Sequence, residues 1–292
     1  MRRTEVYAAL IIAALANPVW GQNIFVIRGQ DAAGSGGGGS GDLAAAANNP
    51  TSDLTIFQIQ NTFVPNTYEA SGFSHTLGLQ MVKPFKTGWE LFPTWVTRST
   101  LPVITTADPD GSIPIGPPND GGFSIPLDNQ SGLGDFTFIS ILNHPTDWGS
   151  VGVGPGFMAP TATRPELGEQ SWKFSPTFVV MYTAIENWQF GLVGYYNFPF
   201  DDKGSKSLMF QPIIVRQLGN GWFTGWGDDL WSFNTDSGNF AMPLQLRLGK
   251  VHTFGGQPMN IFVTGAYTPD DFHKGPAPEW SIKLSVSYLF PG

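Results

Sequence analysis

Long stretches of the chain alternate between apolar and polar residues. In the last segment Trp280, Ile282 and Leu284 fall on one face. The polar residues Ser281 and Lys283 fall between them, on the other face. Successive side chains of a β-strand point to opposite faces, so this alternation predicts a strand with one apolar and one polar face. Similar runs recur and predict about twelve strands, covering residues 54–64, 73–83, 88–97, 134–143, 151–158, 172–183, 187–198, 207–216, 221–232, 239–250, 259–267 and 279–290.

The lengths of these runs and of their connections favour a barrel that crosses a membrane. Most runs are long enough for a tilted strand to span a bilayer. Long and short connections alternate, as in an outer-membrane barrel with both chain ends in the periplasm. Four prolines fall inside predicted strands, where they cannot donate to the ladder, and we expect bulges or bends there. They are Pro93, Pro176, Pro212 and Pro243.

Aromatic residues distinguish the membrane barrel from a soluble sandwich of two sheets, which would show the same alternation. Large rings lie near the predicted strand ends, where membrane barrels carry aromatic girdles. Examples are Trp89, Trp95, Trp148, Trp172, Trp188, Trp222, Trp231, Trp280, Tyr288 and Phe290. We therefore predict an all-β fold, an antiparallel transmembrane β-barrel of the outer-membrane type.

Composition excludes several other classes of protein. Only 13% of the residues are charged and the formal net charge is −8, which argues against a nucleic-acid-binding protein. The chain has no cysteine, so disulfides and thiolate metal sites are excluded. A mean hydropathy of −0.06 is too low for a bundle of membrane-spanning helices.

The chain divides into three predicted regions. Residues 1–21 have the basic, apolar and small-residue parts of a signal peptide, with cleavage after Ala16 or, as we prefer, after Gly21. Residues 22–53 form a Gly/Ala-rich segment that we expect to be flexible. Residues 54–292 form the predicted barrel, which places the protein in the outer membrane.

Several segments resemble one family of bacterial outer-membrane proteins. They are Gly132–Phe136, Gly154–Phe157 with Pro160–Thr163, Leu208–Ile213, and Glu279-Trp280 leading to Leu289-Phe290-Pro291. The family is often labelled as transporters, includes members with a neuromedin-type label, and is related to the barrel protein of the meta-cleavage pathway of phenol degradation. The resemblance covers roughly residues 54 to 292. It implies a barrel that moves small compounds, hydrophobic or aromatic ones among them.

No residue pattern points to catalysis, a cofactor or a metal, and we predict that the protein is not an enzyme. The four histidines lack metal-ligand spacing. Ser140, Asn143 and His144 could be imagined as a lipase-like site, although polar residues at a strand end are the more ordinary interpretation. The neighbouring carboxylates Asp228 and Asp229 should point to opposite faces of one strand.

The candidate functional residues are polar side chains on the inner face of the predicted barrel. Charged residues that faced lipid would cost about 2–4 kcal/mol each, so we place them inside. The candidate lumen-lining residues are Glu90, Lys173, Gln189, Gln245, Arg247, Lys283, Ser285 and Ser287. They could form a mixed polar channel, or internal ion pairs that fill a purely structural barrel.

We predict passive passage of small solutes through the lumen, with mild anion preference arising from Lys173, Arg247 and Lys283. The alternative is a structural or adhesion protein that acts through its extracellular loops, above all the connection 98–133. Expected partners are outer-membrane lipid, small-molecule solutes and the barrel-assembly machinery, which would contact the C-terminal strand. The oligomeric state stays open.

Overall fold

The structure is a computed structural model that describes residues 40–48, 54–69, 73–107, 114–115, 123–124 and 130–291. The predicted signal peptide, residues 22–39 and most of the connection 108–129 lie outside these described residues.

One α-helix, two short 3-10 helices and eighteen strands make up the described part. The helix α1 spans Ser40–Ala47. The strands are β1 Leu54–Thr67, β2 Phe73–Lys86, β3 Thr94–Ala107, β4 Pro114–Ile115, β5 Phe123–Ser124, β6 Gln130–Leu133, β7 Phe136–Thr146, β8 Gly149–Ala159, β9 Lys173–Tyr182, β10 Trp188–Pro199, β11 Ser207–Gly219, β12 Trp222–Gly225, β13 Trp231–Asn234, β14 Phe240–Ala241, β15 Leu244–Phe254, β16 Gln257–Tyr267, β17 His273–Lys274 and β18 Pro278–Pro291. The 3-10 helices are Pro165–Leu167 and Asp270–Phe272.

These strands form a closed antiparallel barrel of twelve strands, as the alternation predicts. The order is β1, β2, β3, β7, β8, β9, β10, β11, β12 with β13, β15, β16 and β18, and β18 pairs with β1 to close the ring. β12 and β13 are two halves of one barrel strand, since both pair with β11. We call the end that carries Leu54 and Pro291 the terminal end, and the opposite end the loop end.

The wall has an apolar outer face, and the polar side chains of the strands point inward. On β18 Lys283 and Ser285 are fully buried, whereas Ile282 and Leu284 are exposed. The same alternation runs along β9, where Lys173 is buried and the outward Phe178 is exposed. This distribution of apolar and polar residues is the reverse of that in a soluble protein. Large exposed apolar areas require lipid or a partner. Closed antiparallel barrels of this kind lie in the outer membrane.

The predicted positions of the prolines and of one strand need correction. β3 begins at Thr94 and continues to Ala107, instead of covering 88–97. Pro93 therefore precedes the strand, and Pro243 falls between β14 and β15. Pro176 and Pro212 do lie within strands, β9 and β11. Among the described residues, no helix is both long and apolar enough to cross a lipid bilayer.

Candidate functional site

The barrel interior is the candidate functional site, and its lining changes from the terminal end towards the loop end. Near the terminal end the inward aliphatic and aromatic side chains form a continuous cluster, which we call the apolar collar, and a few buried polar side chains such as Gln189 and Asn260 lie among them. Its wall residues are Leu54, Ile56, Val82, Val96, Ile139, Ile141, Val179, Met181, Val193, Ile213, Val215, Phe223, Val251, Phe262 and Leu289. Beyond the collar the inward side chains are mainly polar, and we call that part the polar zone.

A short segment of the wall, residues 226–230, turns into the polar zone. β12 ends at Gly225 and its continuation β13 begins at Trp231. On the neighbouring β11, the residues between Phe210 and Val215 therefore face a segment that has left the ladder. Asp228 is fully buried, and Asp229 is buried beside it.

The inward segment places two carboxylates against one lysine, and we call these groups the interior charge cluster. Lys283 Nζ lies 2.9 Å from Asp228 Oδ1 and also donates to Asp229 Oδ1. Gln60 Nε2 donates to Asp228 Oδ2 at 3.0 Å. The Gln245 side chain accepts from the Asp229 N–H at 2.7 Å and donates to the Asp229 carbonyl at 2.9 Å. The cluster thus ties the segment to three barrel strands.

Local sequence explains why the wall opens at this point. The Trp226 N–H donates to the Ile214 carbonyl at 2.8 Å, so Ile214 directs its polar backbone groups towards the interrupted strand. Residues two apart on a strand face the same neighbour, so Pro212 also faces it and has no N–H to donate. Gly227 lets the segment approach closely, because a Cβ there would lie 2.2 Å from Gln245 Oε1.

Two buried arginines accompany the interior charge cluster. Arg98 on β3 and Arg247 on β15 both interact electrostatically with Asp228. The Arg247 guanidinium lies over the rings of Phe223 and Phe262, 5.4 and 5.1 Å from their centroids. Since both rings belong to the apolar collar, Arg247 marks the boundary between the collar and the polar zone.

The helix α1 occupies the collar. Ala44 is fully buried and belongs to the same cluster as the wall residues, and Leu43 and Ala47 pack against it. The helix contacts β11, β12, β15 and β16. Residues 40–47 of the segment 22–53 are therefore helical and inside the barrel, and the flexibility predicted for that segment stays a prediction.

Ion pairs and backbone hydrogen bonds hold the loop end together. Lys173 Nζ donates to Glu169 Oε2, and also to the Ser205 carbonyl at 2.7 Å. Asp135 accepts from the N–H groups of Ala162 and Glu169, at 3.1 and 2.7 Å. Burial raises the pKa of the Asp135 carboxyl, although these two hydrogen bonds oppose the shift.

Seven of the eight candidate residues point into the barrel and one does not. The inward residues are Lys173, Gln189, Gln245, Arg247, Lys283, Ser285 and Ser287, each of them buried. Glu90 lies in the exposed connection between β2 and β3, because β3 starts only at Thr94. Lys283 belongs to the interior charge cluster, Gln189 lies next to α1, and Lys173 lies at the loop end.

The imagined lipase-like site is not assembled. Ser140 Oγ accepts from the Trp95 indole at 2.7 Å, and His144 Nδ1 contacts the Leu91 carbonyl. Four residues apart on one strand, Ser140 and His144 are separated by about 13 Å. Within the described residues no three His, Asp or Glu side chains are grouped to hold a metal.

Sequence reasoning missed three elements of the interior: α1, Arg98 and the joint inward position of Asp228 and Asp229. The expectation that these carboxylates face opposite sides is wrong, because it requires a regular strand and residues 226–230 are not one. Arg98 alternates in phase with the buried Val96 and Thr100, so extending the predicted strand would have found it.

Comparisons with known proteins add the family and the fold. A family model described as "Putative MetA-pathway of phenol degradation" matches residues 40–262. An outer membrane channel from Pseudomonas putida F1 superposes with a TM-score of 0.57 at 16% identity, covering 81% of this chain and 94% of that chain. The KdgM porin in complex with disordered oligogalacturonate superposes with a TM-score of 0.45 at 8% identity, covering 81% of this chain and 99% of that chain. Outer membrane phospholipase A from Escherichia coli superposes with a TM-score of 0.42 at 11% identity, covering 81% of this chain and 89% of that chain. No curated protein matches the sequence. The likeness to the Pseudomonas channel shows a shared barrel fold.

Proposed function

The chain belongs to the family described as "Putative MetA-pathway of phenol degradation", and from this premise we propose that it is an outer-membrane channel for passive passage of small solutes. The proposal takes the terminal end as periplasmic and the loop end as extracellular. The barrel interior is then the solute path.

The observation that carries the proposal is the set of inward polar atoms that have no protein partner. Asp229 Oδ2, Arg247 Nε and Thr264 Oγ1 are buried and accept or donate no hydrogen bond within the described part of the chain. Buried polar atoms normally have a partner, because leaving one without costs about 1–3 kcal/mol. A purely structural interior would pair them, whereas an interior that rearranges to admit water and solutes leaves them to be satisfied by those molecules.

The lining supports a narrower proposal about the solutes. The polar zone offers hydrogen-bonding and charged groups, and the apolar collar offers aliphatic side chains. A molecule that carries both a polar group and an apolar body finds favourable contacts in both zones. We therefore include small hydrophobic or aromatic compounds among the solutes.

The test is conductance of the purified protein in a planar lipid bilayer. We expect stepwise conductance, and we expect Arg247→Gln to change its ion selectivity because Arg247 faces the interior. The matched control is Leu248→Met at the next position, which is exposed to lipid and should leave selectivity unchanged. Silent bilayers from the folded chain would contradict the channel.

A further inference from the structure

The outer face of the barrel carries a basic and aromatic patch near the terminal end, which we call the terminal patch. It consists of Trp188 on β10, Arg216 on β11, Trp222 on β12 and Lys250 on β15, and these strands are neighbours in the wall. We propose that the terminal patch binds the phosphodiester headgroup of an anionic phospholipid. The proposal depends on the position of the barrel in the membrane and not on whether the barrel conducts.

The four side chains of the terminal patch point away from the interior. On β11 Arg216 is exposed and the residue before it is fully buried, and on β12 Trp222 is exposed and the residue after it is fully buried. Trp188 is the ladder partner of Arg216, and Lys250 is the ladder partner of Trp222. Residues directly opposite each other in a ladder lie on the same face of the sheet, so all four side chains share the outer face.

Each cation of the terminal patch lies over the ring of its ladder partner. Arg216 Cζ is 5.3 Å from the centroid of the Trp188 ring, and Lys250 Nζ is 5.0 Å from that of the Trp222 ring. A ring attracts a cation through its face and accepts no conventional hydrogen bond, so the N–H groups remain available to an anionic oxygen. Neither cation belongs to a salt bridge within the described residues. The rings therefore position two cations that have no counter-charge from the protein.

The charge of the patch favours an anionic lipid over a zwitterionic one. The strands β10, β11, β12 and β15 contain no acidic residue. Glu186 precedes Trp188 by two residues, but it is exposed in the turn before β10 begins. A phosphodiester that carries a net negative charge is attracted by both cations. The ammonium group of a zwitterionic headgroup is repelled by the same cations, which weakens its binding.

The position of the patch places it at the level of lipid headgroups. Tryptophan side chains of membrane barrels collect at the boundary between the hydrocarbon layer and the headgroups. Two residues further from the terminal end, the outward side chains on the same strands are Phe190, Ile214 and Leu248. These apolar side chains can contact acyl chains while the cations contact the phosphate. The surface thus matches both parts of a phospholipid.

The test measures lipid preference beside the patch, using the full chain refolded in vesicles. The chain has no cysteine, so Leu218→Cys, an exposed position two residues after Arg216, provides a single thiol for a bimane label. Brominated phosphatidylglycerol, which quenches the label on contact, replaces increasing fractions of phosphatidylcholine. Each basic residue near a membrane surface strengthens binding to anionic lipid by about fivefold. Arg216→Gln/Lys250→Gln should therefore lower the preference for phosphatidylglycerol by about tenfold or more.

The matched control is Lys203→Gln/Lys206→Gln, which removes the same charge from exposed positions at the loop end and should leave the preference at the label unchanged. Arg216→Lys keeps the charge and should keep most of the preference. Heat-sensitive gel mobility checks that each variant is folded. A parent without preference for phosphatidylglycerol, a patch variant that keeps it, or a control that loses as much would each overturn the lipid site. None of these results bears on conductance, so failure of the lipid site is distinguishable from failure of the channel.

Discussion

The interior charge cluster predicts that Lys283 holds the barrel together far more strongly than a surface lysine. Lys283→Met removes the cation that is hydrogen-bonded to both carboxylates and leaves Asp228 and Asp229 buried. Asp228 keeps its hydrogen bond from Gln60 and its longer-range interactions with Arg98 and Arg247. Breaking one side of a buried ion pair typically costs about 3–5 kcal/mol, because a charge remains without compensation. We expect a loss in that range in the free energy of unfolding.

A triple variant separates the cost of the orphaned charges from the contribution of the pairs. In Lys283→Met/Asp228→Asn/Asp229→Asn no buried charge of the cluster remains. Replacing a whole buried ionic group by uncharged side chains is often neutral or stabilising. The triple variant should therefore be more stable than the single variant, although it carries two further substitutions.

The assay is urea unfolding of the protein refolded in lipid vesicles, followed by tryptophan fluorescence. The matched control is Lys206→Met, since Lys206 and Asp236 form an exposed pair 3.8 Å apart and such pairs contribute about 0–1 kcal/mol. If Lys283→Met costs no more than Lys206→Met, or if the triple variant is less stable than the single one, the buried cluster does not have the proposed energetic role.

Three further predictions concern the same wall. Asp228→Asn/Asp229→Asn removes the anions that balance Lys283, so the reversal potential in a salt gradient should move towards anion preference, and a shift towards cations would contradict this. Gly227→Ala should lower the free energy of unfolding by about 1–3 kcal/mol, since its methyl would collide with the side chains of Gln245 and Thr264. Gly265→Ala, where nothing lies within 4 Å of the added Cβ, should cost clearly less, and equal losses would refute the collision. Leu246→Arg puts a charge on a side chain that is 69% exposed on the outer face, and it should cost about 2–4 kcal/mol in vesicles, whereas an unchanged urea midpoint would show that this face does not meet lipid.

The anion preference inferred from the sequence needs a different physical basis in the structure. Lys173 is paired with Glu169, and Lys283 with two aspartates. Arg247 remains as a cation of the polar zone without a salt bridge among those observed in the described residues. Preference for anions stays a prediction, and it now depends chiefly on Arg247.

The faces of the barrel strands could be read from the sequence because lipid and interior impose opposite requirements on successive residues. Trp280, Ile282 and Leu284 are exposed, and the polar residues between them are buried, as the alternation predicts. Strand ends were harder to place, because Glu90 and Trp89 continue the alternation through a connection where Gly88 has a φ of 77°. The alternation of side chains alone does not show that the backbone turns at Gly88.

What the sequence could not show is how the interior is filled, because that depends on contacts between distant parts of the chain. Residues 226–230 have the pattern of a continuing strand. The strand is interrupted because Pro212, on the neighbouring strand, has no backbone N–H to donate to it. Half of the residues of α1 are alanine and the helix lacks an amphipathic pattern, so its structure comes from the collar that surrounds it. Both features lie inside the barrel and are joined to the wall by different kinds of contact. The segment that carries Asp228 is fixed by ion pairs and side-chain hydrogen bonds, whereas the described side chains of α1 pack as apolar groups against the collar and its Ala45 carbonyl accepts a hydrogen bond from Gln189.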